Sequence, residues 1–177
     1  MTLSTTFGKA GFLASLGMAA LFAACSSDSG TTADAPPTTA DAPPATVFNV
    51  TLEKSQEQPP CANAGANATG TATVTVAGDG SSIRVQMTYS GLSGTATAAH
   101  LHFGSSSVAS GPVVLPFTNP ASPIDQTFTS SDYISASGAP ATFAAFVTMV
   151  KAGNASYLNV HVGPTLCPNG EIRGEIQ

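Results

Sequence analysis

The chain has no tryptophan, and its 177 residues include only five lysines and arginines, three histidines and three cysteines. Each shortage excludes something. So few cations cannot neutralise a phosphate backbone, which removes nucleic acid as a partner and disfavours anionic lipid surfaces on the same grounds. After Cys25 the basic residues are Lys54, Arg84, Lys151 and Arg173 against ten acidic ones, a net charge of −6. No cysteine has a CxxC neighbour, so no zinc-finger or thioredoxin-like pattern is present. Carboxylates are too sparse to form a fixed acid/base pair: Asp79 and Asp125 lie in turn-like contexts, and Gly78-Asp79-Gly80 lacks the spacing of a calcium loop. Ser105-Ser106-Ser107 has no nucleophile elbow around it. The apolar run nearest the start is shorter than the ~20 residues of a membrane span.

That run, Gly11 to Ala24, follows a short segment with one basic residue and ends in small side chains, the pattern of a secretory signal. It closes on Leu21-Phe22-Ala23-Ala24-Cys25, which resembles the lipobox of bacterial lipoproteins, with Phe22 where Leu is usual. The resemblance implies that residues 1–25 are a signal peptide and that Cys25 becomes the lipidated N-terminus. By lipoprotein sorting rules, Ser26 after the cysteine points to an outer-membrane anchor, and so to an exported protein of the cell envelope. Residues 26–45 contain Thr31-Thr-Ala-Asp-Ala-Pro-Pro37 and its tandem copy Thr38 to Pro44. Such a stretch has no apolar face to bury and favours polyproline II, so it reads as a disordered tether.

With Cys25 lipidated, Cys61 and Cys167 remain, an even pair in an oxidising compartment. A disulfide between them is expected, in preference to a two-cysteine metal site. It would close a loop of about 100 residues and contribute on the order of 4 kcal/mol.

Residues 46–177 are enough for one domain with one core. Val47 to Leu52 alternates as a strand. Thr69 to Ala77 and Ser82 to Tyr89 flank Gly78-Asp79-Gly80 and read as a hairpin. Ala98 to Phe103 places His100 and His102 on one face, with Ala99, Leu101 and Phe103 on the other. Val113 to Leu115 is a short buried run, and Gln126 to Thr129 an edge strand. Thr142 to Asn154 departs from this pattern. Phe143, Phe146, Val147 and Val150 have helical spacing, with Thr142 and Gly153 as caps, although clustered Val and Thr also permit a strand. Tyr157 to Val162 and Glu171 to Ile176 are the last two strands. The pattern predicts an antiparallel, all-β sandwich or barrel with one short helix.

Three phrases occur in order: Gln56-Glu-Gln-Pro-Pro60; Ala98-Ala-His-Leu-His-Phe-Gly104 with Gly111-Pro-Val-Val114; and Tyr157-Leu-Asn-Val-His161 with Pro168-Asn-Gly-Glu-Ile-Arg-Gly174. Together they resemble the chordin-type (CHRD) domain family over roughly residues 47–177, with Gln58 and Val162 as departures. The resemblance implies an immunoglobulin-like or superoxide-dismutase-like Greek-key sandwich of undefined biochemical role. Cys61 and Cys167 flank two of the phrases, in keeping with their pairing.

His100, His102 and His161 lie on two strands, close enough across a sheet for ring nitrogens to share copper or zinc. The phrase His100-Leu101-His102 is similar to one in copper/zinc superoxide dismutases. Those enzymes use four copper-ligating histidines plus zinc ligands, so three histidines argue against that activity. Glu171 or Glu175 would approach the cluster if the last strand pairs with that of His161. The competing reading is that the histidines only hydrogen-bond on a polar sheet face. Arg173, between Glu171 and Glu175, reads as one rung of a charge ladder on that face. The sequence therefore predicts a lipid-anchored, non-enzymatic binding or structural module whose partner is an envelope protein or glycan. The alternative is a copper- or zinc-binding protein with a three-histidine site.

Overall fold

The computed structural model describes residues 42–105, 109–153 and 156–177. The expected signal peptide, Cys25 and most of the expected tether lie outside the described residues. The chain already packs on the domain just before Thr46, where the Pro43 carbonyl occupies the space a side chain on Gly78 would need.

Eight strands and one helix follow in chain order: β1 (Thr46–Glu53), β2 (Thr69–Val76), β3 (Ile83–Ser90), β4 (Ala96–Phe103), β5 (Val113–Pro116), β6 (Ile124–Phe128), α1 (Phe143–Lys151), β7 (Ser156–Val162) and β8 (Cys167–Glu175). They form one antiparallel sheet in the order β5-β4-β7-β8-β1-β2-β3-β6. The predicted all-β class, the hairpin and the helix are all present. β2 and β3 pair from Val76↔Ile83 to Thr69↔Ser90. Their turn is closed by Gly80 N–H donating to Ala77 O at 2.8 Å and Ser81 N–H donating to Asp79 Oδ1 at 2.9 Å. Gly80, at φ +74°, supplies the left-handed residue of that turn.

The apolar positions of both halves of the sheet belong to one core. Val74, Val76, Ile83 and Val85 come from one half, and Ala99, Leu101, Leu158, Val160 and Ile172 from the other. β5 and β6 are the two edges, yet Phe117 after β5 and Phe128 of β6 meet edge to face with centroids 5.1 Å apart. The sheet therefore curls over on itself. α1 covers the core with Phe143, Phe146, Val147 and Val150, all buried. Its helical spacing prevails over the β-branched residues because Thr142 Oγ1 accepts from Ala145 N–H and Gly153, at φ +66°, ends the last turn.

In the half containing β4, β7 and β8, β7 and the Gly170–Gly174 part of β8 are buried on both faces, and β4 is half-buried on its outer face. The residues opposite the core face are covered by the segment after β1, which carries Glu57, and by the β4–β5 connection, which carries Ser105 and Gly111. The predicted disulfide holds the first of these covers: Cys61 and Cys167 are bonded at 1.98 Å.

Candidate metal centre

Antiparallel register assembles the polar face row by row. Ala98 lies opposite His161, His100 opposite Asn159, and His102 opposite Tyr157. On the next strand Asn159 faces Arg173, and Tyr157 faces Glu175. The β4–β7 register shifts between Ala96 and Ala98, and the β7–β8 register between Val160 and Val162, so bulges aim the residues around His161. All three predicted histidines are brought together. One ligand atom from each lies within 4.8 Å of the others, the one such set among the described residues.

Their hydrogen bonds fix the tautomers of two rings. His102 Nδ1 is 2.8 Å from Gly111 O, and His161 Nδ1 is 2.9 Å from Pro168 O. A carbonyl only accepts, so both Nδ1 atoms carry the proton and both Nε2 atoms present lone pairs. Metal-binding histidines are oriented by bonds of this kind. His161 Nε2 lies 3.1 Å from His100 Nδ1. His102 is 4 % exposed, and its Nε2 has no hydrogen-bond partner among the described residues. Imidazole nitrogens on one tetrahedral ion sit about 3.4 Å apart, so small ring rotations suffice to bring the three onto one centre.

The rings are neutral at physiological pH. Burial, then the neighbouring imidazoles, pulls His100 down to about 4. Burial does the same to His102, also to about 4, against the opposing bond to Gly111. His161 is lowered too, chiefly by burial. The cluster can therefore offer nitrogen lone pairs without first losing protons.

Two features of this face differ from the sequence expectation. Arg173 is no rung of a solvated ladder: it is fully buried, its guanidinium carbon 3.5 Å from the centroid of the Tyr157 ring. It donates to Glu175 Oε1 at 2.7 Å and to Ser105 O at 2.8 Å. Tyr157 in turn stacks on His102, planes 6° apart and centroids 4.6 Å apart, while Gly111 N–H donates to its hydroxyl at 2.9 Å. Alternation placed these side chains on the right face but could not show that loops cover it.

The second difference concerns carboxylates. β8 does pair with the His161 strand, yet Glu171 accepts from Gly65 N–H, Ser93 N–H and Ser93 Oγ, and Glu175 is taken by Arg173. The carboxylate that reaches the cluster is Glu57, which accepts from Asn159 Nδ2 at 3.2 Å. Asn159 Oδ1 then lies 3.0 Å from His161 Nε2. Burial raises Glu57 to about 7, against the Asn159 bond and the Arg173 charge. Asn159 was detectable, since Tyr157, Asn159 and His161 alternate onto one face; the phrase Gln56 to Pro60 contained Glu57, but nothing local tied that carboxylate to the histidines.

A family model described as the CHRD domain matches residues 48–176. No curated protein and no solved structure matches the chain.

Proposed function

The chain belongs to the CHRD-domain family, and we propose that it is a non-enzymatic binding module that takes one copper or zinc ion through His100, His102 and His161. One observation carries this reading: His102 Nε2 is buried, lacks a hydrogen-bond partner among the described residues and faces two other neutral imidazoles. Leaving a buried polar atom unsatisfied costs about 1–3 kcal/mol, a cost that an ion at this position would remove. Imidazole donors suit copper and zinc and suit calcium or magnesium poorly.

The proposal extends to address. The lipobox-like ending at Cys25 supports an exported lipoprotein, its domain held off the outer membrane by the Pro-rich tether and facing an envelope protein or glycan. Metabolic labelling with palmitate, lost in Cys25→Ala, tests the anchor. Calorimetric titration of the chain with Cu(II) and Zn(II) tests the site. One equivalent bound, and lost in His100→Ala, supports it; heats of dilution alone would retire it.

A further inference from the structure

Asn159 has an amide whose orientation is set from outside the histidine cluster. Its Nδ2 donates to Glu57 Oε1 at 3.2 Å and to Asn169 O at 3.3 Å. A backbone carbonyl cannot donate, so turning the amide over would set two acceptors against each other. The oxygen must therefore point inward, where it lies 3.0 Å from His161 Nε2. That nitrogen also presents a lone pair, because His161 Nδ1 donates to Pro168 O. The Asn159 side chain borders His102 as well. Lone pairs of oxygen and nitrogen thus converge in a half-buried space; a proton on His100 Nδ1, 3.1 Å away, can serve the nitrogen, but only a cation serves the nitrogen and the opposed amide oxygen together.

We infer that Asn159 Oδ1 is the fourth ligand of the proposed ion, and that Glu57 is the positioning residue that turns this oxygen inward. The inference rests on the three-histidine reading and sharpens it. Three imidazoles and one amide oxygen fill a tetrahedral shell, and a filled shell belongs to a holding site, whereas catalytic zinc keeps a position open for water. An amide oxygen is a weak ligand found at copper centres, and the donor set carries no charge of its own.

The test is Cu(II) affinity and electron paramagnetic resonance on the full chain and four variants. Asn159→Leu is expected to weaken Cu(II) binding roughly 10–100-fold and to alter the copper hyperfine splitting. Asn159→Asp, which keeps an oxygen at the ion, is expected to retain tight binding with a changed spectrum. Glu57→Ala is expected to weaken binding roughly tenfold, acting through Asn159, whereas Glu57→Gln still accepts from Nδ2 and retains binding. If Asn159→Leu fails to fold, Asn159→Asp decides, because an unchanged copper spectrum there would exclude residue 159 from the shell. Tight binding by the unaltered chain with every variant spectrum unchanged overturns this inference alone and leaves three histidine ligands. No Cu(II) binding by the unaltered chain overturns both.

Discussion

The carboxylate of Glu57 fills the space that a side chain on Gly170 would need: a Cβ there would lie 2.0 Å from Glu57 Oε1 and 2.8 Å from Asn159 Nδ2. Gly170, in β8, has φ +128°, which a residue with a Cβ rarely adopts. One glycine thus lets the segment after β1 press a buried carboxylate against the strand behind the histidines. Gly170→Ala is expected to destabilise the domain by about 2–4 kcal/mol, read from urea unfolding midpoints. Combining it with Glu57→Ala should recover part of the loss, since the two share one space. Strictly additive effects would contradict the packing described.

Stability should respond to pH through two opposed terms. His100 and His102, at about 4 when folded against an ordinary 6.5, bind protons more readily when unfolded. Their contribution is complete above 6.5 and is lost as pH falls towards 4. Glu57 behaves oppositely. Its folded value of about 7 exceeds the ordinary 4.5, so its contribution is complete below 4.5 and is lost as pH rises through 7. Glu57→Gln removes only the second term. In the metal-free chain the variant should therefore gain on the unaltered protein between pH 4.5 and 7, by up to about 3 kcal/mol. A difference that is flat from pH 4 to 8 would show that Glu57 is not buried in this way.

Reducing Cys61–Cys167 should cost more than loop entropy. The bond spans 106 residues of sequence, for which the chain-entropy model gives about 5 kcal/mol. It also ties the segment bearing Glu57 and Gly65 to the strand start bearing Pro168 and Asn169, whose carbonyls orient His161 and Asn159. The expected outcome is a lower unfolding midpoint together with weaker Cu(II) binding under conditions where the reduced chain is still folded. Unchanged affinity after reduction would mean that the cover is not part of the site.

Arg173 tests the buried charge. Arg173→Ala leaves Glu175 without its partner and removes the layer over Tyr157, at an expected cost of about 3–5 kcal/mol. A loss below 1 kcal/mol, the size of a surface pair, would place Arg173 in solvent and restore the ladder reading.

Much of this was legible in the sequence because period-2 alternation and turn residues are local signals. The hairpin around Gly78-Asp79-Gly80, the Thr142 cap and the shared face of His100, His102 and His161 depend on near neighbours in the chain. Burial of that face does not. The outer face of β7 and β8 is covered by segments at least 46 residues away in sequence, so Arg173 and Glu171 read as solvated when they are enclosed. Glu57 was hidden for the same reason: its partner Asn159 is 102 residues distant.

The central claim is that three imidazoles hold one ion together. The chain has three histidines, so its proton spectrum has three Hε1 resonances, and titrating Zn(II) into it reads the site with little overlap. All three resonances should move in step and stop moving at one equivalent. Movement of a single resonance, or continued movement to three equivalents, would mean independent surface imidazoles and would contradict a shared centre.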